Sequence, residues 1–499
     1  MQPIVEVASG KVRGRTTNGV SAFLGIPYAA PPVGAARFRA PTPAATWDGI
    51  RDATEHGPTC TQSPYPPPLE ALLPKKQIPG PDYLNVNVWA PETGASGLPV
   101  MVWIHGGAFT RGSNSISNYD GSAFARDGVV LVSINYRLGV SGFVSLDGAP
   151  DNRGLLDQLF ALAWVQENIE AFGGDPANVT VFGESAGGIS IAMLLGAPAA
   201  QGLFAKAIIQ SGSGGVVADR ADAQRFAAEL AAHLGISPTA DAFSRVAPDA
   251  LTAAQDALTA AFVLDPNPER WGDTLVRNGL GVTPIFPVLD GVVIPRLPAE
   301  TIQSGAGANV PLLAGTTTDE FRLFLIPTGI AVAITPEALP FMLKRFGIDP
   351  AVAETYSASR PEATSGDILC SILSDHAFRG PTMDLALTHS AAGNSVYAYE
   401  FAWRTAVQDL RACHALEIPF VFDTLGTEFA AAGATPPQRV ADDMHSAWVA
   451  FARTGDPGWA AFTQGRRSVL TFDESGGELV DGPRASELAV LQASAATVT

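Results

Sequence analysis

An apolar run passes straight into Gly-x-Ser-x-Gly in the segment Val179-Thr180-Val181-Phe182-Gly183-Glu184-Ser185-Ala186-Gly187-Gly188. A serine hydroxyl becomes a useful nucleophile when a base takes its proton and fixed donors meet the charge that develops on the attacked carbonyl. The small residues around Ser185 answer a steric demand. A strand that turns abruptly into a helix strains its central residue, lifts that side chain clear and leaves no room for neighbours. The same turn leaves the N–H of Ala186 free to donate. Upstream, Trp103-Ile104-His105-Gly106-Gly107-Ala108-Phe109 ends a second apolar run in paired small residues. Backbone N–H groups in such a loop, each worth roughly 3 kcal/mol to an oxyanion, are not screened by bulky side chains. Either pattern alone is common in ordinary turns. In one chain, with a strand before Ser185 and the helical stretch 189–195 after it, they point to acyl transfer at a carbonyl carbon.

Elements must hold these residues in place. Val/Ile/Leu-rich runs at 99–104, 129–134, 179–182, 207–209, 310–314 and 396–401 predict buried strands. Between two of them, 154–172 spaces Leu155, Leu159, Leu162, Trp164, Val165 and Ile169 as one helical face. That alternation predicts βαβ crossovers and a central, mostly parallel sheet flanked by helices. With Gly-x-Ser-x-Gly at a strand-to-helix turn, this is the plan of an α/β-hydrolase fold. Three stretches break the rhythm: proline-crowded 62–81, the region 218–300, which is Ala-rich and without a strand candidate from 218 to 256, and a helical block at 336–387. They are expected to be insertions over the active site of a single domain spanning 1–499, surface decoration being their other reading.

Seven histidines could supply the base. The α/β-hydrolase order of serine, acid, histidine removes His56 and His105. His233 falls in an Ala-rich helical block and His445 in the amphipathic run 440–451, where packing is the simpler role. Of His376, His389 and His414, the last sits in a loop after the 396–401 strand, a suitable place for a catalytic imidazole. The acid should follow an earlier strand, as Asp319 and Glu320 do in Thr316-Thr317-Thr318-Asp319-Glu320-Phe321; residue types leave the choice between them open.

The bulk properties narrow the possible partners. Of 499 residues, 46% are hydrophobic and 16% charged, so a large packed core is expected. The 31 Lys and Arg against 49 Asp and Glu give −18, which repels nucleic acid and anionic lipid. The first residues show no basic segment followed by an apolar run, and no apolar stretch reaches membrane-spanning length. Cys60, Cys370 and Cys413 lack metal-ligand spacing and are expected as free thiols, which favours a cytoplasmic location. A monomer is the default.

Further motifs add a resemblance. Phe23-Leu24-Gly25-Ile26-Pro27-Tyr28-Ala29, Pro31-Pro32, Arg37-Phe38, Asn135-Tyr136-Arg137-Leu138-Gly139 and Phe172-Gly173-Gly174-Asp175-Pro176 accompany the serine motif. Over nearly its whole length the chain resembles the type-B carboxylesterase/lipase family, in particular bacterial para-nitrobenzyl esterases and, more distantly, cholinesterases. The resemblance implies that Glu320 is the acid, that His414 is the base and that Gly107, Ala108 and Ala186 supply the oxyanion N–H groups. It also implies that Ser211 in Gln210-Ser211-Gly212 braces the triad. Relatives usually carry Glu-Asp-Cys-Leu where this chain has Pro81-Asp82-Tyr83-Leu84. Cys60 therefore lacks the partner with which secreted relatives form a disulfide, and Arg37 lacks its usual glutamate, Asp82 being a candidate substitute. Residues 62–80 contain no tryptophan, which argues against choline esters.

The expected substrates are short- to medium-chain, neutral or hydrophobic esters, cleaved through an acyl-enzyme with a Ser-Glu-His triad and no metal or organic cofactor. Glu184, beside Ser185, either disfavours anionic substrates by its charge or merely supports the turn. Phe109, Phe321 and Phe324 are candidate pocket walls and equally candidate core. The same triad could attack amides or carbamates, and the fold also serves cell-adhesion relatives that have lost the serine; here every catalytic and oxyanion position is filled.

Overall fold

Continuous apolar runs that bury both faces build the middle of the molecule. The computed structural model describes residues 2–498 apart from Thr93 and Leu280. Among them, eleven strands form the main sheet: β1 (Arg15–Thr17), β2 (Val20–Pro27), β3 (Asn85–Pro91), β4 (Leu98–Ile104), β5 (Val130–Ile134), β6 (Gly174–Glu184), β7 (Lys206–Gln210), β8 (Leu312–Thr317), β9 (Val396–Phe401), β10 (Ser468–Phe472) and β11 (Glu478–Asp481). Their order is β1-β2-β3-β5-β4-β6-β7-β8-β9-β10-β11. All neighbours from β5 through β10 in that order pair parallel. The outer pairs, β1–β2, β2–β3, β3–β5 and β10–β11, are antiparallel.

The six apolar runs correspond to β4 through β9. β8 begins at Leu312, later than the run suggested, because Pro311 has no N–H for the ladder. The strands that periodicity did not reveal lie toward the two edges, where composition is mixed. β3 carries Asn85 and Asn87, both wholly buried. Asn87 accepts from the Gly25 N–H (2.8 Å) and donates to the Asn114 carbonyl (2.9 Å), so the polar side chains hold loops to the sheet.

The helix Arg153–Asn168 crosses from β5 to β6 and continues as a 3-10 turn, Ile169–Phe172, much as the spacing predicted. It is clamped by a buried ion pair, Arg137 Nη2 to Asp157 Oδ1 at 2.7 Å. Arg137 Nη1 also donates to the carbonyls of Arg37 (3.0 Å) and Arg39 (2.6 Å), which ties the amino-terminal segment down. Asp82 does not replace the missing glutamate. It pairs with Arg51 at 3.3 Å, on the nearby strand Ile50–Asp52, while Arg37 donates to the Val246 carbonyl at 2.6 Å.

Region 62–81 forms a single helical turn, Pro67–Glu70. Region 218–300 is mostly helical, with Arg220–Leu234 and Pro248–Leu264 its longest elements. It also holds a strand that its composition did not announce, Ala218–Asp219, paired parallel with Val288–Leu289. Region 336–387 contains Ser365–Ser374, which leads through a π-helical turn, Asp375–Arg379, into Gly380–Ala391. The three cysteines are free and buried. No helix among the described residues is long and apolar enough to cross a membrane.

Candidate active site

β6 ends in Glu184 and the helix Ala186–Gly196 begins at once, so Ser185 must make the turn alone. Its backbone is held at φ 54° and ψ −120°, a conformation costly for any residue with a side chain. Crowding explains the glycines around it. A methyl group on Gly183 would lie 2.6 Å from the Ile104 carbonyl oxygen, and one on Gly187 only 1.9 Å from the same atom. The Ser185 N–H donates to Gln210 O at 2.9 Å, pinning the turn to the neighbouring strand.

After β4 the chain enters a second strained turn, with φ 111° at Gly107, 53° at Ala108 and 59° at Phe109. The N–H groups of Thr110 and Arg111 both donate to the Gly107 carbonyl at 3.1 Å. The N–H groups of Gly107 and Ala108 have no acceptor among the described residues. His105 braces the loop from beneath. Its ring stacks on Tyr136 at 4.5 Å, its Nδ1 lies 2.8 Å from Gly106 O, and the Tyr136 hydroxyl donates to the His105 carbonyl at 2.7 Å. Burial lowers the His105 pKa to about 4, so this ring is neutral at ordinary pH. The loop lies close to the serine: a methyl on Gly106 would stand 3.2 Å from Ser185 Cβ.

His414 Nδ1 donates to Glu320 Oε2 at 2.5 Å. The other oxygen of Glu320 accepts from Ser211 Oγ (2.6 Å) and from the Thr317 N–H (2.9 Å). This carboxylate is fully buried and satisfied. Asp319 turns elsewhere, and its Oδ2 is buried without a hydrogen bond. On the far side of the imidazole, Nε2 lies 3.0 Å from Glu184 Oε1. Burial acts to lower the His414 pKa, but the carboxylates of Glu184, Glu320 and Glu417 outweigh it and hold the value above that of an ordinary imidazole. Burial raises the pKa of Glu184, with the imidazole opposing it and Glu417 and Glu320 reinforcing it.

Some neighbours of this site gave no local signal in the chain. Glu417 accepts from Gln210 Nε2 at 3.1 Å, and Trp448 Nε1 donates to Gln210 Oε1 at 3.1 Å, so a buried polar chain runs below the site. An acid inside the apolar run Leu416-Glu417-Ile418-Pro419-Phe420 was the one available hint. Phe378, set by the π-helical turn, packs tilted against the His414 ring at 4.7 Å between centroids, with Phe324 at 5.4 Å. Ser185 and His414 open onto one cavity of about 1160 Å³, counting its mouth. Phe109 and Phe324 line it. Phe321 does not: it is 2% exposed and packs with Phe346 and Phe378 in a separate core cluster, because its turn points the ring away from the cavity. Each of the three irregular regions contributes walls, Leu69 and Leu73 from the first, Val282 and Phe286 from the second and Phe378 from the third. His233 is exposed on its helix, His389 is 2.7 Å from Val310 O, and His445 lies 2.8 Å from Val421 O; none of them lines the cavity.

A sheet in this order, with the serine turn at the end of β6 and a cavity above the strand ends, defines an α/β-hydrolase. The chain belongs to the carboxylesterase family, whose pattern matches residues 1–490, and it is a carboxylic ester hydrolase. It is 40% identical over 489 residues to a para-nitrobenzyl esterase of Bacillus subtilis (strain 168), covering 94% of each chain. A phenmedipham hydrolase of Pseudarthrobacter oxydans is 34% identical over 516 residues, 96% of each. Among solved structures, a carboxylesterase of Geobacillus stearothermophilus superposes with a TM-score of 0.85 at 36% identity, over 98% of this chain and 100% of that one.

Proposed function

We propose that this enzyme hydrolyses short- to medium-chain, neutral or hydrophobic carboxylic esters through an acyl-enzyme on Ser185, with His414 as base and Glu320 as the orienting carboxylate. The 2.5 Å bond from His414 Nδ1 to Glu320, beside a cavity that His414 shares with Ser185, carries this reading. Ser211 holds Glu320 from behind. As Ser185 attacks, His414 Nε2 exchanges its contact with Glu184 for the adjacent serine hydroxyl and takes its proton; such bonds commonly tighten only once substrate is bound. The N–H groups of Gly107, Ala108 and Ala186 receive the oxyanion. His414 then protonates the leaving alcohol and activates the water that releases the acid. Apolar walls from 62–81, 218–300 and 336–387 support a single catalytic unit whose insertions shape the pocket and favour hydrocarbon chains.

The test is turnover of para-nitrophenyl esters from acetate to octanoate by the wild type and by Ser185→Ala at equal folded concentration. The variant should lose at least about 10⁴-fold in kcat/KM. Undiminished turnover in Ser185→Ala would remove the serine from the mechanism.

A further inference from the structure

Among the described residues, the most deeply buried arginines each meet acids or carbonyls, Arg379 through Asp375 and Glu400 although its Nε has no partner. Arg137 faces Asp157, Arg322 faces Asp367, and Arg153 donates to four backbone carbonyls. Such matching is expected, since an unpaired buried charge is costly. Arg111 differs. It is partly buried in the wall of the cavity that holds Ser185 and His414. No hydrogen bond or ion pair among the described residues takes up its guanidinium, and its Nε is buried without a partner. Its charge rests on the face of Tyr65, Cζ 5.1 Å from the ring centroid. The acid that acts on it from a distance, Asp256, is engaged by Ser63 Oγ at 2.5 Å. Its stem passes the oxyanion loop, for a methyl on Gly107 would lie 3.0 Å from Arg111 Cγ.

We infer that Arg111 is a specificity determinant, and that the cavity accepts esters whose acyl or alcohol part ends in an ionised carboxylate a short hydrocarbon spacer from the ester bond. This rests on the ester-hydrolase reading of the same cavity. The apolar walls take the spacer, and the planar guanidinium, which remains protonated at working pH, offers paired donors to the carboxylate. The chain as a whole is strongly acidic, so this local cation, and not the overall field, recognises the anion.

Two matched ester pairs test this. Monomethyl adipate against methyl hexanoate puts the carboxylate on the acyl side, and 4-acetoxybutanoate against butyl acetate puts it on the alcohol side. In at least one pair, Arg111→Gln should lower kcat/KM for the anionic member about ten- to a hundredfold more than for its neutral partner, chiefly through KM. Arg111→Lys should restore much of the difference, and added salt should narrow it in the wild type. Equal losses within both pairs would overturn the inference while leaving the ester reading intact. Calorimetric binding of monomethyl adipate to Ser185→Ala, with and without Arg111→Gln, reads the contact without turnover, and equal affinities would also overturn it. Failure of the ester reading looks different: neutral esters would be untouched by the wild type, or cleaved equally by Ser185→Ala.

Discussion

His414 is held between two carboxylates, Glu320 at 2.5 Å from Nδ1 and Glu184 at 3.0 Å from Nε2. Both favour the imidazolium, which suits the proposed mechanism, whose transition state would carry a proton on that ring. The consequence is an imidazole that stays protonated to higher pH than an ordinary histidine. With neutral ester as substrate, kcat/KM should therefore fall as pH drops through this raised His414 pKa. Glu184→Gln removes one of the carboxylates responsible, and the acidic limb should move to lower pH. An unmoved limb would mean that Glu184 carries no charge when His414 titrates. Glu320→Gln, which keeps the shape but loses the charge and reverses the donor at Nδ1, should cost about 10³- to 10⁴-fold in kcat.

Between elements, the strand-to-helix turn at Ser185 and the loop after β4 lock together through backbone approaches that only glycine permits. The Arg137–Asp157 pair performs the corresponding task for the helix Arg153–Asn168. Because both side chains are wholly excluded from water, Asp157→Ala strands a buried guanidinium and should cost about 3–5 kcal/mol, read from the midpoint of denaturant unfolding. Asp241→Ala, which breaks a pair whose side chains are three-quarters exposed, should hardly move that midpoint. The π-helical turn Asp375–Arg379 belongs to this scale as well. It aims Phe378 at His414 and lets Arg379 donate to the Thr317 and Thr318 carbonyls at 3.0 Å, just before Glu320.

Over the whole molecule, the cysteines report how closed the fold is. Cys60, Cys370 and Cys413 are each under 5% exposed, and burial pushes the thiols of Cys60 and Cys370 up to about 12. A disulfide reagent should find three thiols after denaturation and react with the native protein no faster than it opens; a rapid native equivalent would expose a loose region. Local sterics made the serine turn, the glycine-paired loop after β4 and the middle strands readable in the chain, because each is a property of a few consecutive residues. β3 was hidden, since its Asn85 and Asn87 interrupt the apolar run and are satisfied by loops distant in sequence. Which carboxylate meets His414, 94 residues away, depends on how the turn after β8 aims Asp319 and Glu320; residue types left it open and family resemblance named Glu320. Tertiary structure alone decided that Phe324 faces the cavity while Phe321 does not, that Glu417 lies beneath the site 207 residues from its Gln210 partner, and that Arg111 reaches the cavity wall without an acid. Those outcomes depend on where the inserted segments fold down over the sheet, and contacts between distant segments leave no periodic trace in the order of residues.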